Sequence, residues 1–363
     1  MEIAIVGAGN AGCAYACHLA STGHDVRLLK TSRAMHEENF AEVVRQGGIH
    51  CVDHTADEAR FFAPLKLVTR DAREALSGAQ VVIVMTQSLQ HETVADHMGP
   101  LLGNAQLVLV VPGYMGSLYF RRACRSKDVV FAEGESTALD CRIEEPGVVH
   151  ILFRNVRNAL AFLPGSRSKD GLHLAGQLFS TYRYTRKSIV ESALYNPNLI
   201  VHTLGTVLSA SRIEYSKGQF RMYAEAYSPS VWNVAEALDA EKNGILRAFG
   251  CEPFQYVDAC KFRNEEDLAI DSMEVFRSYA LSAPKGPASL NTRYVDEDVP
   301  MGLVLMSSLG KACGQATPVC DSLVHIAGAL RQRDFWAAGR TLESLGLTGL
   351  TVGQIAKVVE GHD

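Results

Sequence analysis

A histidine and an asparagine in the middle of the chain have the types and spacing for proton-transfer chemistry. Asn198 and His202 lie four residues apart in the segment 195–203 (YNPNLIVHT), so on a helix they share one face. Histidine is the side chain best suited to general acid/base work near neutral pH. The surrounding positions are apolar, so we expect both side chains to be buried or to line a cleft. The alternative for one histidine among twelve is a core residue bonded to a backbone carbonyl, which is the commoner case.

A second candidate group lies in the segment 286–302, which is rich in turn-forming residues and leads into a helix. Arg293 carries a guanidinium of the kind that binds a carboxylate through two parallel hydrogen bonds. An aspartate such as Asp298 can hold an imidazole in one tautomer and stabilise its charged form. The alternative is that Asp296, Glu297 and Asp298 form an acidic turn that complements the dipole of the helix. Spacing alone leaves the two interpretations balanced.

The start of the chain has the pattern of a dinucleotide-binding turn. An apolar strand leads directly into G-x-G-x-x-G, and a helical segment and a second strand follow. The first glycine permits the tight turn, the second lets the backbone approach a pyrophosphate, and the third allows close helix–strand packing. The helix start offers free N–H groups to the phosphates. The predicted cofactor-binding residues here are Gly7, Gly9, Asn10, Ala11 and Gly12. The alternative is a glycine-rich turn in another α/β domain.

The end of the second strand favours NADP(H) over NAD(H). NAD-preferring sites usually place a carboxylate there to bind the ribose 2′-OH. This strand instead runs into Lys30-Thr-Ser-Arg33, whose two cations attract a 2′-phosphate and whose two hydroxyls can donate hydrogen bonds to it. The alternative is a solvated loop in which Glu37 or Glu38 reaches back to the ribose and the cofactor is NAD(H).

The N-terminal half alternates strand and helix patterns, which is typical of a doubly wound parallel sheet. Continuous apolar runs at residues 79–86, 106–112 and 129–133 predict buried parallel strands. Residues 148–153 and 159–163 are expected to form a hairpin-like extension of the same sheet.

Polar side chains follow the carboxyl ends of these strands, where ligands bind in such sheets. Thr86 ends the first run and is expected beside the cofactor. Secondary candidates for substrate or cofactor contacts are Gln87, Tyr114, Ser136 and Thr137.

The C-terminal half reads as long helices with few strand signals. Apolar residues recur at helical spacing in the segments 199–213, 231–249, 266–282, 302–312, 319–331, 334–345 and 352–359. The pattern changes at about residue 186, which predicts a dinucleotide-binding domain over residues 1–185 and a helical substrate and catalytic domain over residues 186–363.

Composition narrows the class of protein. A chain of 363 residues with 47% hydrophobic and 21% charged residues is typical of a globular protein with two domains. A net charge of −5 without basic blocks gives no support to nucleic-acid binding, and no apolar run approaches a membrane span. The first strand begins at Glu2, so no signal peptide is expected. Nine scattered cysteines without a C-x-x-C pair indicate reduced thiols and a cytoplasmic location.

Taken together, the motifs resemble those of the opine dehydrogenases, the octopine/nopaline dehydrogenase family, and in particular its bacterial N-(1-carboxyethyl)-norvaline type. The resemblance spans nearly the whole chain, and the motifs in the middle are more specific than the glycine pattern. The matching motifs are G-x-G-N-x-G at the start, Cys141-Arg142 with Glu144-Glu-Pro-Gly147, Asn198-x-x-x-His202, Leu290-Asn-Thr-Arg-Tyr294 with Glu297-Asp-Val299, and residues 339–350.

The resemblance implies a Rossmann domain followed by a helical domain like the C-terminal domain of 6-phosphogluconate dehydrogenase. It implies that the amine of an amino acid joins the carbonyl carbon of a 2-oxo acid, with pyruvate expected, and that the resulting imine is reduced by NAD(P)H. Carried over by motif, His202 is the general acid/base and Asp298 its partner. Arg293 then binds a substrate carboxylate, and Asn198 positions the substrate or the nicotinamide.

The sequence departs from the family pattern at two places, and two other functions remain as alternatives. Bacterial relatives often have an acidic residue at the position of Lys30, and a proline is expected where this chain has Thr86-Gln87. One rival is a ketopantoate-reductase-like enzyme that uses a lysine such as Lys187 as its acid, and the other is a non-catalytic NADP sensor. A homodimer through the helical domain is also expected.

Overall fold

The structure is a computed structural model that describes residues 1–283 and 285–361. The chain forms two units, Met1–Arg186 and Lys187–Asp363, which we call the N-terminal unit and the C-terminal unit.

The N-terminal unit contains strands interleaved with helices. Its strands are β1 Glu2–Val6, β2 Asp25–Leu29, β3 Gly48–Asp53, β4 Ala59–Pro64, β5 Leu67–Thr69, β6 Val81–Val84, β7 Leu107–Val110, β8 Val130–Gly134, β9 Leu139–Glu145, β10 Val148–Arg154, β11 Asn158–Leu163 and β12 Tyr182–Thr185. Its helices are α1 Asn10–Ser21, α2 Glu37–Gln46, α3 Ala72–Leu76, α4 His91–Met98, α5 Ser117–Ala123 and α6 Ser168–Leu178.

The main sheet has eight strands in the order β12-β11-β8-β7-β6-β1-β2-β5. The strands from β8 to β5 are parallel, and β11 is antiparallel to β8. The chain runs from β1 to β2 on one side and later returns to β6 on the other side of β1. The carboxyl ends of β1 and β6 therefore flank the switch point, which is the usual ligand crevice of such a sheet. This arrangement confirms the predicted doubly wound sheet.

The predicted hairpin between residues 148–153 and 159–163 is wrong. Strand β10 lies in a separate sheet of order β4-β3-β10-β9, whereas β11 joins the main sheet beside β8. In the small sheet, β10 pairs in parallel with β3 and antiparallel with β9. The two apolar runs are adjacent in sequence but have different partners, and a local pattern cannot specify a partner strand.

Helix α1 is buried between strands of the two sheets, because it contacts β1 and β2 of the main sheet and β3, β4 and β9 of the small one. Its buried residues are mostly small, which lets strands approach closely on both sides: Gly12, Cys13, Ala14, Tyr15, Ala16, Cys17 and Leu19. The packing fixes the start of α1, and with it the glycine turn.

The described part of the C-terminal unit is helical, without a strand. Its helices are α7 Ile189–Leu194, α8 Asn198–Val207, α9 Ala210–Ser216, α10 Met222–Glu225, α11 Pro229–Ala248, α12 Tyr256–Asn264, α13 Ser272–Ser282, α14 Arg293–Asp296, α15 Val304–Cys313, α16 Pro318–Arg331, α17 Phe335–Ala338 and α18 Val352–Glu360. A π-helical turn, Val299–Leu303, precedes α15.

Three of the predicted helices differ from the structure. A turn at residues 208–209 divides the segment 199–213 into α8 and α9. The segment 266–282 becomes helical only at α13, because the Asp271 side chain accepts hydrogen bonds from the N–H groups of Met273 and Glu274 and caps the helix there. The segment 334–345 is helical only in α17. Beyond it, the N–H of Arg340 bonds to the carbonyl of Pro300 at 2.9 Å instead of continuing the helix.

Two general features accompany the fold. Among the described residues, no helix combines the length and the apolar character needed to cross a membrane. All nine cysteines are free thiols, and most are buried.

Candidate active site

His202 and Asp298 form a buried hydrogen-bonded pair in the C-terminal unit. Nδ1 of His202 lies 2.8 Å from Oδ2 of Asp298. The His202 side chain is 8% exposed and the Asp298 side chain 0% exposed. Because the carboxylate can only accept, Nδ1 carries the proton and Nε2 of the neutral ring is an acceptor. The pair has the geometry of an imidazole held in one tautomer by a buried carboxylate.

Local sequence explains how the two side chains are positioned. The Asn196 side chain accepts a hydrogen bond from the N–H of Asn198 at 3.0 Å, and α8 starts there. His202 then lies one turn into the helix. On the other side, the Thr292 side chain caps α14, which packs against α8. Asp298 lies two residues beyond the end of α14 and immediately precedes the π-helical turn, a distortion often found at functional sites.

Two tyrosines complete the surroundings of the imidazole. The Tyr223 hydroxyl lies 3.1 Å from Nε2 of His202. The ring of Tyr294 stacks on the imidazole with a centroid separation of 3.6 Å and an angle of 18°. Neither tyrosine was predicted from the sequence to have a role in the site. Tyr294 lies beside Arg293 in a motif that was recognised, whereas Tyr223 lies in a four-residue helix without any motif.

Arg293 and Asn198 lie on the elements that carry the pair. Arg293 is the first residue of α14, and its half-exposed side chain forms an ion pair with Glu297, with Nε 3.2 Å from Oε2. Asn198 is the first residue of α8, one turn before His202, and is partly buried. Their substrate-binding roles stay predictions.

The glycine turn of the N-terminal unit fits a dinucleotide pyrophosphate. Gly7 has a φ of +114°, and a Cβ on Gly12 would lie 1.7 Å from the carbonyl oxygen of Gly7, so the turn requires glycine at both positions. A Cβ on Gly9 would meet only the ring of His36, at 3.7 Å or more, which leaves open space beside the backbone. No side chain caps the first turn of α1 within the described chain, so its N–H groups can receive a phosphate.

The other residues predicted near the cofactor differ in the hydrogen bonding and the exposure of their side chains. Asn10 uses its side-chain oxygen to accept the N–H of Ile143 at 2.8 Å, so this oxygen is bonded to strand β9. Thr86 follows β6 and lies directly against Gly7. Its hydroxyl oxygen is buried and has no hydrogen-bond partner among the described residues. Since buried polar groups normally have a partner, this hydroxyl is suited to bind a ligand. The next residue, Gln87, is exposed.

The ribose end of the site differs in detail from the expectation. The Lys30 side chain is buried, donates to the carbonyl of Met35 and lies 3.4 Å from Glu37. The exposed cations here are Arg33 and Arg70. The Arg70 guanidinium bonds to Glu37 at 2.6 Å and stacks on Phe40 at 4.6 Å from the ring centroid.

Arg70 was missed in the sequence because it follows β5, a strand of only three residues. It also donates to the carbonyl of Ser32 at 2.9 Å, within the loop that was predicted to face the ribose. An arginine with an exposed surface, held at this edge of the sheet, is suited to bind a phosphate.

The remaining candidates lie in loops at strand ends. Tyr114 is buried, with a φ of +49°, in a loop whose next residue, Met115, has a φ of +62°. Glu133 holds this loop in place, because its buried carboxylate accepts hydrogen bonds from the N–H groups of Met115 and Ser117. Thr137 is partly buried, and side-chain amides bond to its carbonyl at 2.6 and 3.0 Å. Its neighbour Ser136 is also partly buried.

Comparison with known proteins gives the family. A family profile described as "NAD/NADP octopine/nopaline dehydrogenase, alpha-helical domain" matches residues 185–331. The opine dehydrogenase of Arthrobacter sp. (strain 1C) is 31% identical over 366 residues, which cover 98% of each chain. The chain belongs to the opine dehydrogenase family. As a member it is an NAD(P)-dependent oxidoreductase that acts on CH–NH groups, by reductive condensation of an amino acid with a 2-oxo acid through an imine.

Solved structures show the same fold. An octopine dehydrogenase in complex with NADH and agmatine superposes with a TM-score of 0.77 at 20% identity, covering 99% of this chain and 98% of that one. A yersinopine dehydrogenase with bound NADP+ has a TM-score of 0.74 at 14% identity, covering 99% and 98%.

The ketopantoate reductases are more distant relatives of this opine dehydrogenase family member. Their profile matches residues 3–153. A PanE/ApbA family reductase from Ralstonia eutropha JMP134 has a TM-score of 0.61 at 21% identity, covering 92% of this chain and 99% of that one.

Proposed function

We propose that this chain condenses an amino acid with pyruvate and reduces the imine to a secondary amine dicarboxylate, with His202 as the general acid/base. The observation that carries the proposal is the buried His202–Asp298 pair, 2.8 Å apart, next to the hydroxyl of a partly exposed tyrosine. A buried carboxylate that stabilises the imidazolium suits a group that must take up and release protons.

Imine formation supplies the proton transfers that such a pair can perform. The amine attacks the carbonyl carbon and gives a carbinolamine, in which the amine has lost a proton and the oxygen has gained one. Loss of water then needs a proton on the leaving hydroxyl as the C=N bond forms. His202 holds that proton while Asp298 balances the charge. When bound, the reduced nicotinamide supplies the hydride that reduces the imine.

Recognition of the substrate carboxylates is assigned to Arg293. Its side chain is 47% exposed and forms an ion pair with Glu297, so part of the arginine is accessible to a carboxylate. Asn198 starts the helix that carries His202, and we propose that its amide positions the substrate or the nicotinamide. In the N-terminal unit, Gln87, Tyr114 and Thr137 are proposed as further substrate contacts.

NADP(H) is the proposed cofactor, and its support comes from Arg70 and Arg33 rather than from Lys30. Both arginines are exposed at the end of the strands that carry the ribose site. Lys30 is committed to Glu37 and to a backbone carbonyl. We expect NADPH to bind at least about tenfold more tightly than NADH, since a phosphate–arginine pair contributes a charged hydrogen bond. Calorimetric titration with both cofactors tests this, and a tenfold preference for NADH would overturn it.

The decisive test of the reaction is its requirement for an amino acid. NADPH oxidation is followed with each of the twenty amino acids against pyruvate, 2-oxoglutarate and glyoxylate, and the product is identified by mass. We expect oxidation with pyruvate only when an amino acid is present, and a product mass equal to that of the reduced condensation product. Oxidation that proceeds equally well without an amino acid would identify a 2-oxo acid reductase of the ketopantoate-reductase type.

We further propose that the protein is cytoplasmic and forms a homodimer through the helical unit. Nine free cysteines support a reducing compartment. Large apolar side chains on the surface of the C-terminal unit support association, since Tyr215 is 86% exposed and Leu281 is 74% exposed. Light scattering after gel filtration measures the oligomeric state, and fractionation of cells measures the location. A monomer at micromolar concentration would contradict the first proposal.

A further inference from the structure

Nε2 of His202, the nitrogen that would exchange protons, already has a hydrogen-bond partner. Nδ1 is bonded to Asp298, and Nε2 is 3.1 Å from the hydroxyl of Tyr223. The two rings meet at 70°, with their centroids 6.4 Å apart, so the hydroxyl approaches the imidazole at its edge. A stacked ring, that of Tyr294, covers one imidazole face at 3.6 Å. A proton that leaves Nε2 along its own hydrogen bond therefore reaches Tyr223 first.

Tyr223 is more accessible than the histidine it contacts. The His202 side chain is 8% exposed, whereas Tyr223 is partly exposed. A phenol hydroxyl is both a donor and an acceptor. It can donate to Nε2 of the neutral imidazole, and it can accept from N–H of the imidazolium. The same contact is thus compatible with both protonation states of His202.

The position of Tyr223 is fixed from both ends of its short helix. Before it, Met222 packs on Gly205 of α8, where an added Cβ would lie 2.8 Å from the Met222 Cγ atom. After it, the hydroxyl of Tyr227 donates to the carbonyl of Val201 at 2.6 Å. Both anchors bind the same stretch of α8 that carries His202. The contact between Tyr223 and the imidazole is therefore part of the packing of α10 on α8.

A third tyrosine supports the ring of Tyr223 on another side. Tyr279 of α13 contacts it edge-to-face, with centroids 5.3 Å apart and planes at 88°. Edge-to-face pairs of aromatic rings are stabilising beyond the area that they bury. The hydroxyl of Tyr223 is thus held in a defined place while it exchanges protons.

We propose that Tyr223 relays protons between His202 and the substrate, a role that rests on the proposed acid–base function of His202. In carbinolamine dehydration, the Tyr223 proton passes to the leaving hydroxyl while the imidazolium gives its Nε2 proton to the phenol oxygen. The C–O bond breaks, water leaves, and the nitrogen lone pair forms the C=N bond of an iminium ion. His202 ends neutral and Tyr223 ends protonated, so one positive charge moves from the imidazolium to the iminium.

The test compares Tyr223→Phe with a matched control on the same unit, Tyr215→Phe, which removes a hydroxyl from an exposed ring. We expect Tyr223→Phe to lower kcat about tenfold to 100-fold, at or below the lower end of the range for a lost acid/base group, with KM for the amino acid unchanged within about threefold. Tyr215→Phe retains the wild-type kcat. A proton inventory in mixtures of light and heavy water should be curved for the wild type, with two protons in flight, and linear for Tyr223→Phe.

Two results would overturn the relay. One is a kcat for Tyr223→Phe within twofold of the wild type. The other is a lower KM with unchanged kcat, which would show that the hydroxyl only occupies the place of the substrate. If Tyr223→Phe does not fold, fluorotyrosine at position 223 keeps the ring and makes the phenol more acidic. The relay then requires the pH profile of kcat to move, and an unmoved profile refutes it.

The failure of the relay is distinguishable from the failure of the proposed function. His202→Ala is measured in the same assay, and we expect a loss of at least about 100-fold in kcat with cofactor binding retained. A loss in His202→Ala together with normal activity in Tyr223→Phe removes the relay alone. Normal activity in His202→Ala removes the acid–base function and the relay with it.

Discussion

Replacement of Asp298 by asparagine tests whether the buried pair is an acid–base device. The substitution keeps the shape of the side chain and removes its charge. The asparagine amide can present either its oxygen or its NH2 group to Nδ1 of His202, 2.8 Å away in the wild type. With the NH2 group facing the ring, the proton moves to Nε2 and the imidazole presents the wrong tautomer to Tyr223.

The size of the effect follows from the geometry. At an effective dielectric constant of about 20, unit charges about 3 Å apart attract by roughly 6 kcal/mol, which is an upper limit before desolvation is counted. A charged hydrogen bond contributes about 1.5–3 kcal/mol net. The lower value, about 1.5 kcal/mol, corresponds to a loss in rate of roughly tenfold, and the upper value, about 6 kcal/mol, to a loss of roughly 10⁴-fold. Each factor of ten in rate is about 1.4 kcal/mol. We expect kcat to fall about 100- to 1000-fold.

The assay is the initial rate of NADPH oxidation with pyruvate and the best amino acid, together with the Kd for NADPH. The Kd is expected to stay within about twofold, since Asp298 lies in the unit without the glycine turn. The matched control is Asp296→Asn, which removes a carboxylate two residues away whose Oδ2 lies 2.9 Å from Arg331. That ion pair is partly exposed and contributes about 1 kcal/mol or less to stability. A loss below tenfold in Asp298→Asn, or an equal loss in the control, would refute the reasoning.

Three further changes test other parts of the structure. In Gly12→Ala the added methyl would lie 1.7 Å from the Gly7 carbonyl oxygen. We expect NADPH affinity, measured by calorimetry, to fall at least about tenfold. Unchanged affinity would contradict the close packing. Tyr294→Leu removes the ring stacked on His202 and is expected to lower kcat about fivefold, whereas Tyr294→Phe keeps the ring and the rate; equal losses would exclude a stacking effect. Burial lowers the pKa of His18 to about 4. As pH falls, the unfolded chain takes up this proton near pH 6.5 before the folded chain does, so stability present at pH 7.5 is lost toward pH 4. The loss by pH 5 is about 2 kcal/mol in urea unfolding, and His18→Gln should reduce it.

The parallel core of the fold could be predicted because each of its strands has a clear signal in its own local sequence. The strands β1, β6 and β7 contain continuous apolar runs, which are typical of strands buried on both faces. What could not be predicted is pairing between distant segments. The strand patterns of β10 and β11 were correct, but their partners were not, because nothing local distinguishes one sheet from another.

Tertiary contacts overrode a helical pattern in the segment 334–345. A Cβ on Gly339 would lie 2.5 Å from Cγ1 of Val304, so this glycine provides close packing at the end of α17. The next N–H group bonds to the carbonyl of Pro300. The two partners lie 35 and 40 residues earlier in the chain, outside any local window used to recognise helical periodicity.

In the candidate site, too, residue types could be predicted from the sequence, whereas contacts between distant segments could not. His202 and Asp298 could be selected from residue type and resemblance, but only the fold shows that they touch. Tyr223 and Arg70 lie in or after elements of three or four residues, which are too short to produce a periodic signal. The burial of Lys30 was also hidden, because its partner Glu37 belongs to α2.

The parallel pairing of β3 with β10 has a consequence for how the chain is made. The hairpin of β3 and β4 leaves the ribosome early, whereas β10 begins only at Val148, after most of the main sheet has been synthesised. Until then, β3 presents a free edge that can recruit a strand from another nascent chain. Because a parallel pairing of high contact order also forms slowly, aggregation during expression should depend on the elongation rate between β4 and β10. Synonymous codons that slow synthesis just before Val148 would prolong that exposure.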